Sequence, residues 1–247
     1  MKLALLADIH SNLEGLNACL EHAAEQGADA HAFVGDLVGY GADPLAVLEV
    51  VERHAAAGAL VVKGNHDAAI LDDGADTMNK AAEAAVEWTR AQLGERQRAF
   101  LAGLPFTAGR EEIFLVHASA DRPGDWTYVS DPMRAEQSLA AARGTWVFSG
   151  HVHEQMLYYQ GAGGRPLQFR PQPGVAIPVP AHRRWLAVVG SAGQPRDGNT
   201  AAAYALFDTV RRSLTFFRVP YQWSVAAAKI RAAGLPEGLA RRLERGA

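Results

Sequence analysis

The chain begins with MKLALLADIH (residues 1–10), an apolar run that ends in an aspartate and a histidine. Residues 3–7 predict a buried β-strand, and Asp8 and His10 come where that strand would end. Open α/β sheets place their active sites at the carboxyl ends of their strands. This stretch therefore predicts both an α/β fold and the place of a site within it.

Four further apolar runs are followed by side chains that bind metals. The runs cover residues 32–34, 60–62, 113–116 and 146–148. The polar side chains that come after them are Asp36, Asn65, His66, Asp67, His117, His151 and His153. Oxygen and imidazole donors without cysteine suit a pair of divalent cations. The sequence therefore predicts a dinuclear metalloenzyme, whose metals it leaves open among Mn, Fe, Co, Ni and Zn.

Composition limits the alternatives. The 247 residues are 49% hydrophobic, with a net charge of −3 and a pI near 6.3, so nothing favours a polyanion or an anionic membrane as partner. Cys19, the one cysteine, cannot form an internal disulfide and is expected to be buried and inert. Asp8 interrupts the first apolar run too early for a signal peptide, and no run of eighteen apolar residues occurs. We therefore expect a cytoplasmic protein with no membrane association and no specific nucleic-acid binding.

The first half of the chain alternates strand-like and helix-like segments, as in α/β proteins. Ser11, with Glu14 three residues later, predicts a capping box at the start of a helix over residues 11–26. Asp43-Pro44 predicts the start of the next helix. Further helices are predicted over residues 78–93, 95–101 and 131–144.

After His153 short strand-like runs alternate with Gly- and Pro-rich turns, which predicts a second, largely antiparallel sheet. Residues 224–245 have helical periodicity that is broken at 234–236. We expect one domain over residues 1–247 that ends in a helical tail from residue 221.

The order Asp-x-His, Gly-Asp, Gly-Asn-His-Asp, His and Gly-His-x-His resembles the calcineurin-like metallophosphoesterase superfamily over residues 3–153. Each motif alone is weak, because Gly, Asn and Asp also favour ordinary turns, but the ordered set is specific. GSAGQPR (residues 190–196) is similar to a segment of the small bacterial phosphodiesterase-like members. The resemblance implies a four-layer α/β/β/α sandwich with two mixed sheets.

The resemblance also implies a role for each motif residue. The first metal would be held by Asp8, His10 and His153, the second by Asn65, His117 and His151, and Asp36 would bridge them. Metals roughly 3.5–4 Å apart would share a water and lower its pKa, which supplies a hydroxide for in-line attack on a phosphoryl group. His66 would protonate the leaving group, and Asp67 would orient the His66 ring.

Substrate determinants are less distinct. Serine/threonine phosphatases of this superfamily carry Gly-Asp-x-Val-Asp-Arg-Gly, whereas this chain has Gly39 and Tyr40 at the Asp-Arg positions, which argues against a protein phosphatase. Tyr40 and Arg196 are candidate substrate-binding residues. Trp126 and Tyr128 either pack on the core or stack on a nucleobase. The adjacent Arg183 and Arg184 are expected to be solvated.

The function predicted from these features is metal-dependent hydrolysis of small phosphodiesters or nucleotide-type phosphates. The alternative is a non-catalytic scaffold of the same fold that binds protein partners. A homo-oligomer is compatible with the sequence.

Overall fold

The structure is a computed structural model, and it describes residues 1–71, 78–161 and 164–247. Within these ranges two six-stranded mixed sheets pack face to face and carry helices on their outer faces. The helices are α1 (Leu13–Glu25), α2 (Pro44–Ala56), α3 (Asn65–Ala69), α4 (Lys80–Gln92), α5 (Glu95–Gly103), α6 (Pro132–Ala141), α7 (Trp223–Ala232) and α8 (Glu237–Arg245). This is the predicted α/β/β/α sandwich.

The first sheet contains the first three strands of the chain, paired in parallel, and three later strands paired antiparallel. Its order is β3 (Leu60–Val62), β2 (Ala30–Val34), β1 (Lys2–Leu6), β11 (Ala202–Asp208), β12 (Ser213–Val219) and β9 (Ala176–Pro178). The order of the second sheet is β4 (Thr107–Arg110), β5 (Ile113–Val116), β6 (Trp146–Ser149), β10 (Arg184–Val189), β7 (Gln155–Gln160) and β8 (Leu167–Phe169). In that sheet β5, β6 and β10 are parallel.

Alternating side chains of each central strand face two different cores. On β1, Leu3 and Leu5 point into the core between the sheets, where they join residues such as Phe148 and Phe207. Ala4 and Leu6 point outward to the core beneath α1 and α2. The near-continuous apolar strand motifs therefore follow from burial on both faces.

The strands after His153 do not form a separate sheet, so that prediction was wrong. β7, β8 and β10 join the sheet of β4–β6, whereas β9, β11 and β12 join the sheet of β1–β3. The central pairing is β1 with β11, in the register Leu3 to Phe207. Hydrogen bonding between sequence-distant strands decides this partition, and single-strand patterns carry no information about it.

The N-cap of the first helix lies one residue later than predicted. Asn12 is its N-cap and accepts from the Gly15 amide at 3.0 Å. Ser11 instead lies in a loop, where its amide donates to the Leu37 carbonyl. Glu14 does not complete a capping box but lies 2.5 Å from Lys229 of α7.

The C-terminal tail forms two helices with the predicted break between them. Residues of α7 and α8, including Ile230 and Leu239, pack with Ala82 and Ala85 of α4 and with Tyr40. None of the helices in the described part of the chain has the length and apolarity that crossing a membrane requires.

Candidate metal centre

The five sequence motifs meet at the carboxyl ends of β1, β2, β3, β5 and β6. The first three of these strands belong to one sheet and the last two to the other. The site therefore straddles the top of the sandwich, where donors from both sheets converge. The structure brings all seven predicted ligands together there.

The donors fall into two overlapping groups. One consists of Asp8, His10, Asp36 and His153, and the other of Asp36, His117 and His151; in each group one donor atom per residue lies within 4.8 Å of all the others. Asp36 belongs to both, because its Oδ2 lies 3.6 Å from His10 Nε2 and 3.3 Å from His117 Nε2. A carboxylate in this position can serve two cations at once.

Within each group the donor atoms face one another. His153 Nε2 lies 3.1 Å from His10 Nε2 and 3.3 Å from Asp8 Oδ1. His117 Nε2 lies 3.2 Å from both His151 Nδ1 and Asn65 Oδ1. Asn65 thus joins the second group. These donors are buried apart from Asn65, which is half-buried.

Backbone carbonyls orient three of the four imidazoles. The Nδ1 atoms of His10, His117 and His153 lie 3.2, 2.8 and 2.5 Å from the carbonyl oxygens of Val38, Val34 and Gln194. These contacts assign the proton to Nδ1 and leave the Nε2 lone pair directed into the cluster. His151 has the opposite orientation, with Nδ1 in the cluster and a buried Nε2 that lacks a hydrogen-bond partner among the described residues.

The backbone at the ligands is strained. Five ligand residues have left-handed φ values of 50–68°, and they are Asp8, His10, Asp36, His151 and His153. Side chains other than glycine rarely adopt this region, and such residues cluster at functional sites. The surrounding contacts therefore hold the ligands at a conformational cost.

Motif glycines leave the room that the ligands need. A Cβ atom at Gly35 would lie 2.6 Å from His117 Nδ1, and one at Gly150 would lie 2.6 Å from Asp8 Oδ2. A Cβ at Gly64 would collide with the Asp36 carboxylate. At each of these three positions a larger residue would therefore clash with a candidate ligand from another motif.

The segment GSAGQPR forms hydrogen bonds to the backbone of the first motif. Ser191 Oγ donates to the Asp8 carbonyl at 2.7 Å, and the Gly193 amide donates to the same oxygen at 3.0 Å. Gln194 supplies the carbonyl that contacts His153. This segment therefore helps to hold Asp8 and His153 in place. Its resemblance to the family segment did not by itself predict this role.

Burial and mutual charge set the protonation of the cluster. Burial lowers the pKa of His151 to about 3 and also lowers the pKa of His10, which leaves neutral donors. Burial acts in the same direction on His117, but the carboxylates of Asp36 and Asp8 outweigh it and raise the pKa of His117 to about 9. A cation at this position therefore competes with a proton on His117.

His66 and Asp67 differ from the prediction in one respect. The Asp67 carboxylate accepts from the backbone amides of Leu37, Val38 and Gly64 at 2.9–3.2 Å. The Nδ1 atom of His66 is buried and has no hydrogen-bond partner among the described residues. Asp67 therefore ties two motif loops together, and no hydrogen bond joins its carboxylate to the His66 ring among the described residues.

The His66 ring is instead placed by packing. Its centroid lies 4.4 Å from that of Tyr40 and 4.8 Å from that of His10. A Cβ at Gly39, which has φ of +90°, would lie 2.6 Å from His66 Nδ1. Burial lowers the pKa of His66 to about 4.

A cavity of about 420 Å³ opens above the cluster. Its lining includes His66 and four of the candidate ligands, which are Asp36, Asn65, His151 and His153. Tyr40, Arg196, Trp126 and Tyr128 also line it. The Tyr128 ring stacks on His151 at a centroid distance of 3.9 Å, so the loop after His117 both packs on the site and shapes its opening.

Sequence reasoning missed the wall of the cavity near the start of α4. This wall includes Met78, Asn79 and Ala82. Asn79 is also the N-cap of α4, through its contact with the Ala82 amide at 3.1 Å. An asparagine before a helix is explained by its capping role alone. The sequence pattern therefore could not predict that Asn79 also lines a cavity.

Residues 1–212 match the sequence model of the calcineurin-like phosphoesterase superfamily domain, and the chain therefore belongs to this superfamily. It is 33% identical to an uncharacterised protein of Methanocaldococcus jannaschii over 247 residues, which is 98% of this chain and 96% of the other. The crystal structure of a metallophosphoesterase from Sphaerobacter thermophilus superposes with a TM-score of 0.88 and 32% identity, covering both chains completely. A hypothetical protein of Pyrococcus horikoshii shares the fold, with a TM-score of 0.80 at 21% identity over 100% of this chain and 98% of that one.

Proposed function

We propose that the protein is a hydrolase of small phosphodiesters or nucleotide-type phosphates that uses two divalent cations. The observation that carries this proposal is the position of Asp36, whose one carboxylate belongs to two groups of buried donors. A single cation would not need donors on both sides of a shared carboxylate. Membership of the phosphoesterase superfamily supports the same chemistry.

The donor chemistry fits such a pair. In this proposal Asp8, His10 and His153 hold one cation, and Asn65, His117 and His151 hold the other, with Asp36 common to both. The oxygen and neutral imidazole donors suit Mn, Fe, Co, Ni or Zn. When bound, two divalent cations supply positive charge to the phosphoryl oxygens and activate water for in-line attack.

His66 is the proposed general acid. Its ring lines the cavity beside the donors but belongs to neither donor group, so it is free to give a proton to a leaving alkoxide. Burial disfavours the imidazolium, whereas the negative charge of a bound phosphoester favours it.

Tyr40 and Arg196, which also line the cavity, are proposed to contact the substrate. Arg196 offers a guanidinium suited to a phosphoryl oxygen, and Tyr40 offers a hydroxyl. We further propose that residues 1–247 act as one domain, because Lys229 of the tail bridges Glu14 of α1 and Asp43 at the start of α2.

The test is turnover of bis-p-nitrophenyl phosphate, p-nitrophenyl phosphate and a nucleotide panel, first with Mn²⁺ and then with the other metals. His66→Ala should lower kcat by about 10²–10⁴-fold, the usual contribution of general acid–base catalysis, while metal content stays unchanged. His182→Ala is the matched control, because His182 is exposed. Absence of turnover with every metal, or full activity of His66→Ala, would contradict the proposal and favour a binding scaffold.

A further inference from the structure

Two arginines converge on one buried amide beside the cavity. Arg196 Nη2 donates to Gln194 Oε1 at 3.1 Å, and Arg242 Nη1 of α8 donates to the same oxygen at 3.4 Å. Both guanidiniums also lie against the Tyr40 ring, with Cζ 5.9 and 5.6 Å from its centroid. Gln194 is 1% exposed, so the shared acceptor is inside the protein.

Helix α8 contacts the same loop at a second point. The Gly246 carbonyl, just after α8, accepts from the Gly198 amide at 2.8 Å. Between the two contacts, Leu243 is buried in the core that α8 shares with Tyr40. The last helix therefore holds the loop on both sides of Arg196.

Only one of the two guanidiniums faces the cavity. Arg196 lines it, and its Nε is buried without a hydrogen-bond partner among the described residues. Arg242 is not part of the lining. Within the described ranges neither arginine has a carboxylate in ion-pair distance, so the charge of Arg196, which faces the cavity, is left for an anion to balance.

This arrangement gives the two arginines different roles, because Arg196 lines the cavity and Arg242 does not. A long side chain that projects into a cavity loses rotamer freedom when it binds an anion, and this loss weakens binding unless the side chain is already held. Arg242 occupies the other side of the shared acceptor and keeps Gln194 and Tyr40 in place.

We propose that Arg242 is a positioning residue for Arg196, through which the C-terminal helix sets the affinity of the site for the anionic phosphoryl group. The inference rests on the proposed function, because it takes the phosphoester as the anion that Arg196 binds. Arg242 acts on ground-state and transition-state binding alike and does not take part in proton transfer.

The experiment compares Arg196→Ala, Arg242→Ala and the double variant, with Arg241→Ala as control. Arg241 lies on the same helix, is exposed, and pairs only with Glu237 among the described residues. Arg242→Ala should raise KM for bis-p-nitrophenyl phosphate about tenfold with little change in kcat or metal content, the loss expected for a hydrogen bond to a charged group. The double variant should be no worse than Arg196→Ala, because both changes remove the same interaction.

A second measurement does not need turnover. Calorimetric titration of the metal-loaded proteins with inorganic phosphate should show weaker binding for Arg196→Ala and Arg242→Ala than for the unmodified protein and Arg241→Ala. If no metal supports turnover, the proposed function fails, while this titration still decides the inference. Arg242→Gln, which keeps a polar side chain on α8, replaces Arg242→Ala if the latter does not fold.

Three outcomes would overturn the inference. One is a KM and a phosphate affinity of Arg242→Ala equal to those of Arg241→Ala. Another is additive losses in the double variant, which would mean that Arg242 binds the anion independently. The last is absence of phosphate binding by the unmodified protein.

Discussion

The backbone amide of His151 donates to both carboxylate oxygens of Asp8, at 3.1 and 2.9 Å, across 143 positions of sequence. Asp8 follows β1 of one sheet and His151 follows β6 of the other. This contact joins the two sheets at their carboxyl ends. It also means that the backbone of one candidate ligand fixes the side chain of another.

A methyl group at Gly150 should disturb this contact. Its Cβ would lie 2.6 Å from Asp8 Oδ2 and from the Ala7 Cβ. We expect Gly150→Ala to lower metal affinity about 10–100-fold, as for other groups that orient ligands, and the free energy of unfolding by about 1–3 kcal/mol. Metal titration and denaturant unfolding measure the two effects. Gly238→Ala on α8, where a Cβ meets nothing within 4 Å, should leave both unchanged or slightly raise stability.

Gln155 should be important for stability although it is polar. Its side-chain amide nitrogen lies 3.1–3.2 Å from the carbonyls of Val189 in one sheet and of Tyr204 and Phe217 in the other. Gln155→Leu leaves these acceptors without that donor in a buried position, which should lower the free energy of unfolding by about 1–3 kcal/mol. In urea unfolding the exposed Gln137→Leu should change it by less than about 0.5 kcal/mol. Equal effects would show that Gln155 only fills space.

Arg184 should contribute more to the free energy of unfolding than Arg183, although the sequence gives no reason to distinguish the two residues. The Arg184 guanidinium donates to the carbonyls of Leu139, Ala142 and Gly144 and so closes the C-terminal end of α6, which corrects the prediction that it is solvated. Arg183 is exposed and lies over the Tyr159 ring at 5.3 Å.

Arg184→Ala should therefore lower the free energy of unfolding by about 1.5–3 kcal/mol, because hydrogen bonds to a charged group and favourable charge at a helix C-terminus are both lost. Arg183→Ala should change it by less than about 1 kcal/mol. Thermal unfolding of the two variants side by side measures the difference. A larger loss for Arg183→Ala would refute the capping role.

Cys19 should be unreactive in the folded protein. It is fully buried on α1, and burial raises the pKa of its thiol to about 12. Because the thiolate is the nucleophile, the folded protein should not react with Ellman's reagent at pH 8, and one thiol per chain should react in guanidinium chloride. Fast labelling of the native protein at pH 8 would contradict the buried position.

The candidate site was largely predictable because each ligand comes directly after a buried strand. This local pattern can be recognised without knowing which strands pair. Examples are residues 3–7 before Asp8 and residues 113–116 before His117. The role of Asp67 was not predictable in the same way. Its carboxylate contacts Leu37, which is close only because β2 and β3 pair in parallel.

Sequence alone determined the strand and helix periods, the donor types and their positions at strand ends, because these depend on residues that are neighbours along the chain. Tertiary structure alone decided that strands from the second half of the chain enter both sheets and that Arg242 reaches the cavity loop. These features depend on pairing and packing between segments up to about two hundred residues apart. Such contacts stabilise the fold only once the chain has brought the segments together. No local pattern records such a contact.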